Sequence, residues 1–248
     1  MKVIVTESET ELAQHAANAI ADALRSRPAP VLGVATGSSP LGTYRALAEM
    51  VDSGELDLGK ASVFALDEYL GMGADDPHSY AATIAETVTG PLRLDPARVH
   101  VLDGSAPDPE EECRRYEQAI AEAGGVDAQL LGIGANGHIG FNEPGSTPDS
   151  RTRVQRLSEE TRRANSRFFS SLDEVPAHCL TQGLGTIGEA RQLVLVATGE
   201  AKAEAVAAAL EGPLDPQCPA SVLQRHPSVL VVLDRAAAGR LDPELPRS

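Results

Sequence analysis

DAQLLGIGANGHIGFNEP, residues 127–144, decides how the chain folds. Asp127–Leu131 is a short, largely apolar run ending at glycine, the pattern of a buried strand. Gly132-Ile-Gly134-Ala-Asn136-Gly137 then matches GxGxxG, the spacing of a dinucleotide-binding turn. That fingerprint needs a long helix starting at the glycines, with its N-terminus facing the pyrophosphate. Here Pro144 comes seven residues after Gly137, with Gly140 and Asn142 between, so no useful helix fits. The strand opens into a loop instead, and the loop carries His138, Asn142 and Glu143.

Outward from this loop the pattern alternates. Val3–Val5, Val31–Ala35, Ser62–Leu66, Val99–Leu102, Gln192–Ala197 and Val229–Leu233 read as strands. Helical stretches lie between them. Ser8–Arg25 places Leu12, Ala16, Ile20 and Leu24 four apart, and Pro40–Val51, His78–Val88, Pro109–Ala123, Glu159–Phe169 and Glu200–Leu210 follow. Thr152–Leu157 alternates like an antiparallel edge strand. Strands alternating with helices predict an α/β fold: one domain with a mostly parallel sheet covered on both faces, open and Rossmann-like. Residues 1–235 are expected to form this domain, and 236–248 (AAGRLDPELPRS with the preceding Ala) a frayed C-terminal tail. Ligands of such sheets bind beyond the carboxyl ends of the strands. The chemistry is therefore expected in Thr36–Ser39, Asp67–Leu70, Gly132–Pro144 and Thr198–Lys202.

Composition narrows the partners. The 248 residues carry 36 Asp and Glu against 21 Lys and Arg, a formal charge of −15, and only 3% aromatics. Such a chain repels nucleic acid and anionic membranes and has few side chains for base stacking. No apolar run approaches a membrane span, and the polar N-terminus does not read as a signal peptide. Cys113, Cys179 and Cys218 are far apart and odd in number, so they read as reduced, structural thiols of a cytoplasmic protein.

Five features carry chemistry. Thr36-Gly37-Ser38-Ser39 follows a strand and precedes Pro40: either an anion site at a helix N-terminus or a plain turn capped by Ser39. It has no Walker Lys. Asp67 ends an apolar strand, with Glu68 pointing to the other side; the alternative is a carboxylate that caps the next turn. His138 shares its loop with Asn136 and Glu143, equipment for general acid–base work, or for a tight loop held by its own hydrogen bonds. Two ligands alone do not make a metal site. Lys202, one of only three lysines, opposes a helix dipole at a strand end, which a bound anion would explain. Arg167 is either a second phosphate clamp or part of a solvated face with Arg162 and Arg163. His15, His78, His100, His178 and His226 read as structural or exposed. A Ser–His–Asp hydrolase lacks its GxSxG elbow.

The blocks VATGSSPLGTYRAL, FALDEYLG, LGIGANGHIGFNEPGS, SRTRV, TRRANSRFF, LTQGLGTI and VATGEAKAEAV occur in this order over about residues 30–233. Together they resemble the glucosamine-6-phosphate deaminase family. The related lactonases share the fold but carry a GHxAS-type loop where this chain has GHIGFNEP. The resemblance implies conversion of glucosamine 6-phosphate and water to fructose 6-phosphate and ammonia, without metal or organic cofactor. It implies that Asp67 moves the proton from C2 to C1 and that His138, tuned by Glu143, opens the ring. Thr36, Gly37, Ser38, Ser39, Arg167 and Lys202 would hold the sugar phosphate. Two departures stand out. Asn136 occupies a position where some members have Asp, so it supplies no charge to His138. Gln155 follows the SRTR block where allosteric, hexameric members have a basic residue. A homo-oligomer is compatible with the sequence, but neither the hexamer nor activation by N-acetylglucosamine 6-phosphate is implied. Other readings are a deaminase for galactosamine 6-phosphate, a 6-phosphogluconolactonase and a sugar-phosphate sensor domain.

Overall fold

The computed structural model describes residues 1–242. In chain order the elements are β1 (Lys2–Thr6), α1 (Glu9–Arg25), β2 (Val31–Val34), α2 (Leu41–Asp52), β3 (Ser62–Ala65), β4 (Asp67–Tyr69), α3 (Tyr80–Ile84), β5 (Val99–His100), α4 (Pro109–Glu122), β6 (Ala128–Leu131), β7 (Arg153–Arg156), α5 (Glu159–Asn165), β8 (His178–Thr181), α6 (Leu184–Gly188), β9 (Gln192–Ala197), α7 (Ala203–Leu210) and β10 (Val229–Asp234). Seven strands form one parallel sheet in the order β1-β10-β9-β6-β2-β3-β5.

Strand alternation divides the core into two layers. Leu32, Val34, Ala128, Leu130, Val194 and Val196 face α1 and α2, whose Ala16, Ile20, Leu24 and Leu47 are fully buried against them. Val31, Leu131, Leu193 and Leu195 face the opposite way, toward Cys113 and Tyr116 of α4 and Val206 of α7. The long helix α1 starts at Ser8, whose side chain accepts the Glu11 N–H, and ends at Arg25, a cation at the negative end of its dipole.

The chain reverses its direction of growth between β2 and β6. From β2 it builds outward to β3 and β5; β6 then returns to the other side of β2, and β9 and β10 continue from there. β2 and β6 pair only at Leu32 and Gly33, so they separate beyond that point. The crevice at their carboxyl ends is the topological switch point at which such folds bind ligands.

The expected single sheet is not the whole of it. A second, antiparallel sheet runs in the order β4-β8-β7. The Thr152–Leu157 stretch supplies its strand β7 and is not an edge of the main sheet. The chain changes sheets at Leu66. Its N–H still donates to Val34 in the main sheet (3.0 Å), while its carbonyl accepts from Gln182 beside β8 (2.8 Å). Asp67 therefore starts a new strand and does not end the old one.

Smaller differences follow from local chemistry. The expected 78–88 helix is α3 followed by a π turn, Ala85–Thr89. The 159–169 helix becomes a 3-10 turn at Ser166–Phe168. Pro40 rather than Ser39 occupies the cap of α2, with no side-chain capping bond. The turn is secured instead by Tyr44, whose hydroxyl accepts the Ala35 N–H and donates to its carbonyl, 2.9 and 2.7 Å. The expected frayed tail is not frayed where it is described: Ala237, Ala238 and Leu241 are buried in the core. Residues 243–248 of that stretch lie outside the described residues.

Candidate active site

A cavity of about 650 Å³ opens at the switch point. Thr36, Gly37, Ser38, Ser39, Asp67, Asn136, His138, Arg167 and Lys202 all line it. Glu143 does not; it stands behind Asn136. The loop glycines show why GxGxxG occurs here without a dinucleotide. A Cβ on Gly134 would lie 2.2–2.5 Å from ring atoms of His138, so this glycine seats the imidazole. Gly137 has φ 82° and lies against Cys218, where a Cβ would meet Sγ at 2.7 Å. The loop is closed by Gly134 N–H to His138 O (2.9 Å) and Gly137 N–H to Gly134 O (3.0 Å).

Three side chains form a directed chain. Glu143 accepts the Ser158 N–H on Oε1 (3.0 Å) and the Asn136 amide N–H on Oε2 (2.9 Å). This commits the Asn136 NH2 to the carboxylate and turns its Oδ1 to His138 Nδ1, at 2.7 Å. An amide oxygen only accepts, so Nδ1 carries the proton and Nε2 keeps its lone pair. Burial pushes the imidazole down to about 4, opposed by the Glu143 charge and assisted by Lys202. His138 is thus a neutral ring near pH 7, with its basic nitrogen unbonded to any described residue.

Asp67 and Glu68 have opposite fates. Glu68 is bound by the N–H groups of Tyr69, Tyr80 and Ala81 at 2.8, 3.0 and 2.8 Å and is 1% exposed. It fastens the start of α3, and burial still raises its pKa against those three bonds. Asp67 is 5% exposed and makes no hydrogen bond to a described residue. Burial, and then the Glu68 charge, push it up to about 8. A buried carboxylate without partners is unfavourable, and such departures cluster where chemistry is done.

Two cations also line the cavity. Arg162 is tied to the Val175 and Leu172 carbonyls, and Arg163 pairs with Glu159 on the surface. Arg167 alone of the three lines the cavity, over the Phe168 ring at 4.7 Å. Lys202 faces it; burial and the Arg167 charge both lower its pKa. Neither forms an ion pair among the described residues. Two unpaired cations beside the hydroxyls of Thr36, Ser38 and Ser39 make a receptor for a dianion such as a phosphate.

The sequence reading passed over several wall residues. Tyr69, Tyr80, Asn165 and Phe169 line the cavity, as does His78, which stacks on Phe169 (5.1 Å) and contacts Asp76 (3.2 Å). Asn165 and Phe169 flank Arg167 in the TRRANSRFF block, a signal that was available. Cys113, Cys179 and Cys218 are free and buried. Among the described residues, no three His, Cys, Asp or Glu side chains are grouped to hold a metal, and no helix is long and apolar enough to cross a membrane.

The family model of glucosamine-6-phosphate isomerases/6-phosphogluconolactonase matches residues 5–232. A glucosamine-6-phosphate deaminase of Cutibacterium acnes (strain DSM 16379 / KPA171202) is 57% identical, over 97% of this chain and 92% of the relative. One from Rhodococcus jostii (strain RHA1) is 53% identical, over 97% and 93%. A solved structure of a monomeric glucosamine-6-phosphate deaminase superposes with TM-score 0.94 at 44% identity, covering 97% of this chain and all of the other. The 6-phosphogluconolactonase of Trypanosoma cruzi shares the fold, with TM-score 0.74 at 22% identity over 97% and 96% of the two chains.

Proposed function

The chain belongs to the glucosamine-6-phosphate isomerase/6-phosphogluconolactonase family, and we propose that it works there as a glucosamine-6-phosphate deaminase in the cytoplasm. The observation that carries this reading is the gathering of two kinds of group on the wall of one cavity: a neutral His138 and an Asp67 without a hydrogen-bond partner among the described residues, together with Arg167 and Lys202, which form no ion pair among them.

The phosphate sits between Arg167 and Lys202, against Thr36, Gly37, Ser38 and Ser39. With the sugar held there, His138 Nε2 takes the proton of the C1 hydroxyl and hands it to the ring oxygen, which opens the ring to the aldehyde. Glu143 and Asn136 hold the tautomer that makes Nε2 the base. Asp67 then removes the C2 proton and returns it to C1. This carries the C1 carbonyl's oxidation level to C2, where water displaces the nitrogen as ammonia and leaves fructose 6-phosphate. An Asp67 carboxyl poised near neutral pH suits this work, because a general acid–base is most effective when its pKa lies near the working pH. The ammonium of the substrate, placed beside it, draws it toward the ionised form the first transfer needs. The scheme uses no cofactor.

The test is an ammonia-release assay with glucosamine 6-phosphate and galactosamine 6-phosphate side by side. Glucosamine 6-phosphate is expected to be consumed with equal amounts of ammonia and fructose 6-phosphate formed. Release from the galactosamine compound alone, or from neither, overturns the reading.

A further inference from the structure

Arg167 has no side-chain tether of its own. It is exposed, forms no ion pair among the described residues, and rests only on Phe168. Its position is therefore set by the short segment that carries it, α5 and the 3-10 turn Ser166–Phe168. That segment is capped at its start by Ser158, whose hydroxyl accepts the Thr161 N–H at 3.1 Å. Arg162 fixes its outer side to the Leu172 and Val175 carbonyls. Both anchors lie a turn or more before Arg167.

Two anchors that flank Arg167 meet on Tyr69, while His78 stacks on Phe169 from another side. Two positions before Arg167, the Asn165 amide donates to the Tyr69 hydroxyl at 2.8 Å. Two positions after it, the Phe169 ring meets the Tyr69 ring edge-on, with centroids 5.7 Å apart. Tyr69 is itself immobilised: 1% exposed, packed against Phe141 at 5.5 Å, and joined by the Tyr80 hydroxyl, which donates to it at 3.2 Å. Tyr80 in turn lies beside Thr36 on the cavity wall. Tyr69 is also two residues along β4 from Asp67, and alternation puts the two on the same face of that strand.

We infer that Tyr69 is a positioning residue: through Asn165 and Phe169 it fixes Arg167 relative to the strand that bears Asp67. The inference rests on the reading of Arg167 as a phosphate-binding residue. Its physical basis is the need to hold both ends of one small substrate at a set separation. The base and the cation are 100 positions apart in sequence, on different elements, and Tyr69 gives both a common reference. Loss of the tether lets Arg167 wander, which weakens phosphate binding in ground and transition states alike.

The experiment is a mutant cycle on the full chain. Tyr69→Phe keeps the ring and its packing and removes only the hydroxyl. The hydroxyl accepts from both Asn165 and Tyr80; loss of the Asn165 bond should raise KM for glucosamine 6-phosphate about 3- to 10-fold, the worth of one neutral hydrogen bond, with kcat nearly unchanged. Asn165→Ala should do the same, and the double variant should be no worse than either single one. In an Arg167→Ala background both substitutions should lose their effect. Protection against thermal unfolding by inorganic phosphate gives a second readout that needs no turnover: it should weaken in Tyr69→Phe and Asn165→Ala, while their unliganded melting temperatures stay near the parent's. A loss confined to kcat, additive effects of Tyr69→Phe and Asn165→Ala, or persistence of either effect without Arg167 overturns the inference. If the parent releases no ammonia but phosphate protection falls as described, the substrate assignment fails and the positioning role stands.

Discussion

Replacing Asp67 by Asn should stabilise the empty protein while abolishing its chemistry. The carboxyl of Asp67 is raised from 3.8 to about 8, first by burial and then by Glu68. A group whose folded pKa is raised binds its proton more tightly in the folded state, so the unfolded chain gains by ionising first. The penalty is absent below pH 3.8, grows as pH rises, and levels off above about 8. At pH 7 the window spans about 3 pH units at 1.36 kcal/mol each, an upper bound of about 4 kcal/mol. Asparagine has nearly the same shape and cannot ionise, so it removes this penalty. For a chain of this size that corresponds to a rise in Tm of roughly 5–15 °C at pH 7–8, shrinking to nothing near pH 4. The same variant should lose about 10²–10⁴ in kcat and show no transfer of deuterium from C2 to C1 of the substrate. Thermal unfolding at several pH values, with the label-transfer assay, reads both effects. A variant that melts at or below the parent's temperature at pH 8, or gains equally at pH 4 and pH 8, refutes the burial argument. One that still moves the label at the parent's rate refutes the assignment of the base; Glu68, bound by three backbone N–H groups, is then no simple substitute.

Three further outcomes follow from the same geometry. Asn136→Asp places a carboxylate 2.7 Å from His138 Nδ1 and beside Glu143, which should raise the imidazole from about 4 toward the ordinary range. The acid limb of kcat/KM, which in the parent reports the ionisation of Asp67, should then steepen as His138 becomes a second group that must lose its proton; identical profiles count against the neutral-base reading. Lys202→Ala should raise KM for glucosamine 6-phosphate about 10- to 150-fold with a smaller effect on kcat, the value of a charge-assisted hydrogen bond, and an unchanged KM removes Lys202 from the phosphate site. Gly134→Ala should displace the His138 ring, since the new Cβ would lie 2.2–2.5 Å from it; ring opening should fall as far as in His138→Gln, and near-parent turnover would show that the loop yields.

The main sheet was legible because its inner strands are buried on both faces. Such strands read as apolar runs of β-branched residues and leucine, and α1 advertises itself by a four-residue spacing. The second sheet was not legible. β8 is His178-Cys-Leu-Thr181, too short to show a period, and β4, Asp67-Glu-Tyr69, follows the apolar run of β3 with no Gly or Pro between them. The change of sheet at Leu66 is fixed by hydrogen bonds to Val34 and Gln182, the latter more than a hundred residues away, which no local pattern reports. The stretch from residue 236 was expected to be a frayed tail; Ala237, Ala238 and Leu241 find places in the core that composition does not announce.

The site shows the same division between local and distant causes. The carboxylate–amide–imidazole chain lies within eight residues of sequence, Asn136 to Glu143, so the loop that carries it could be read whole. Even there the sequence could not say which atom of Asn136 faces which neighbour. That follows from Ser158 and the packing behind Glu143, which leave the amide NH2 one acceptor and so present the amide oxygen to His138. Arg167 was ambiguous for a parallel reason. On a helical wheel it is one of several arginines, and only the tertiary partners separate them: carbonyls take Arg162, Glu159 takes Arg163, and Arg167 is left over. The residue without a partner in the folded chain is the one with binding capacity to spare. The same rule separates Asp67 from Glu68, neighbours of like chemistry on one strand. Three backbone donors consume Glu68, while no hydrogen bond from a described residue satisfies Asp67. Function in this fold is written in what the tertiary structure leaves unsatisfied, and that quantity exists only after the chain has folded.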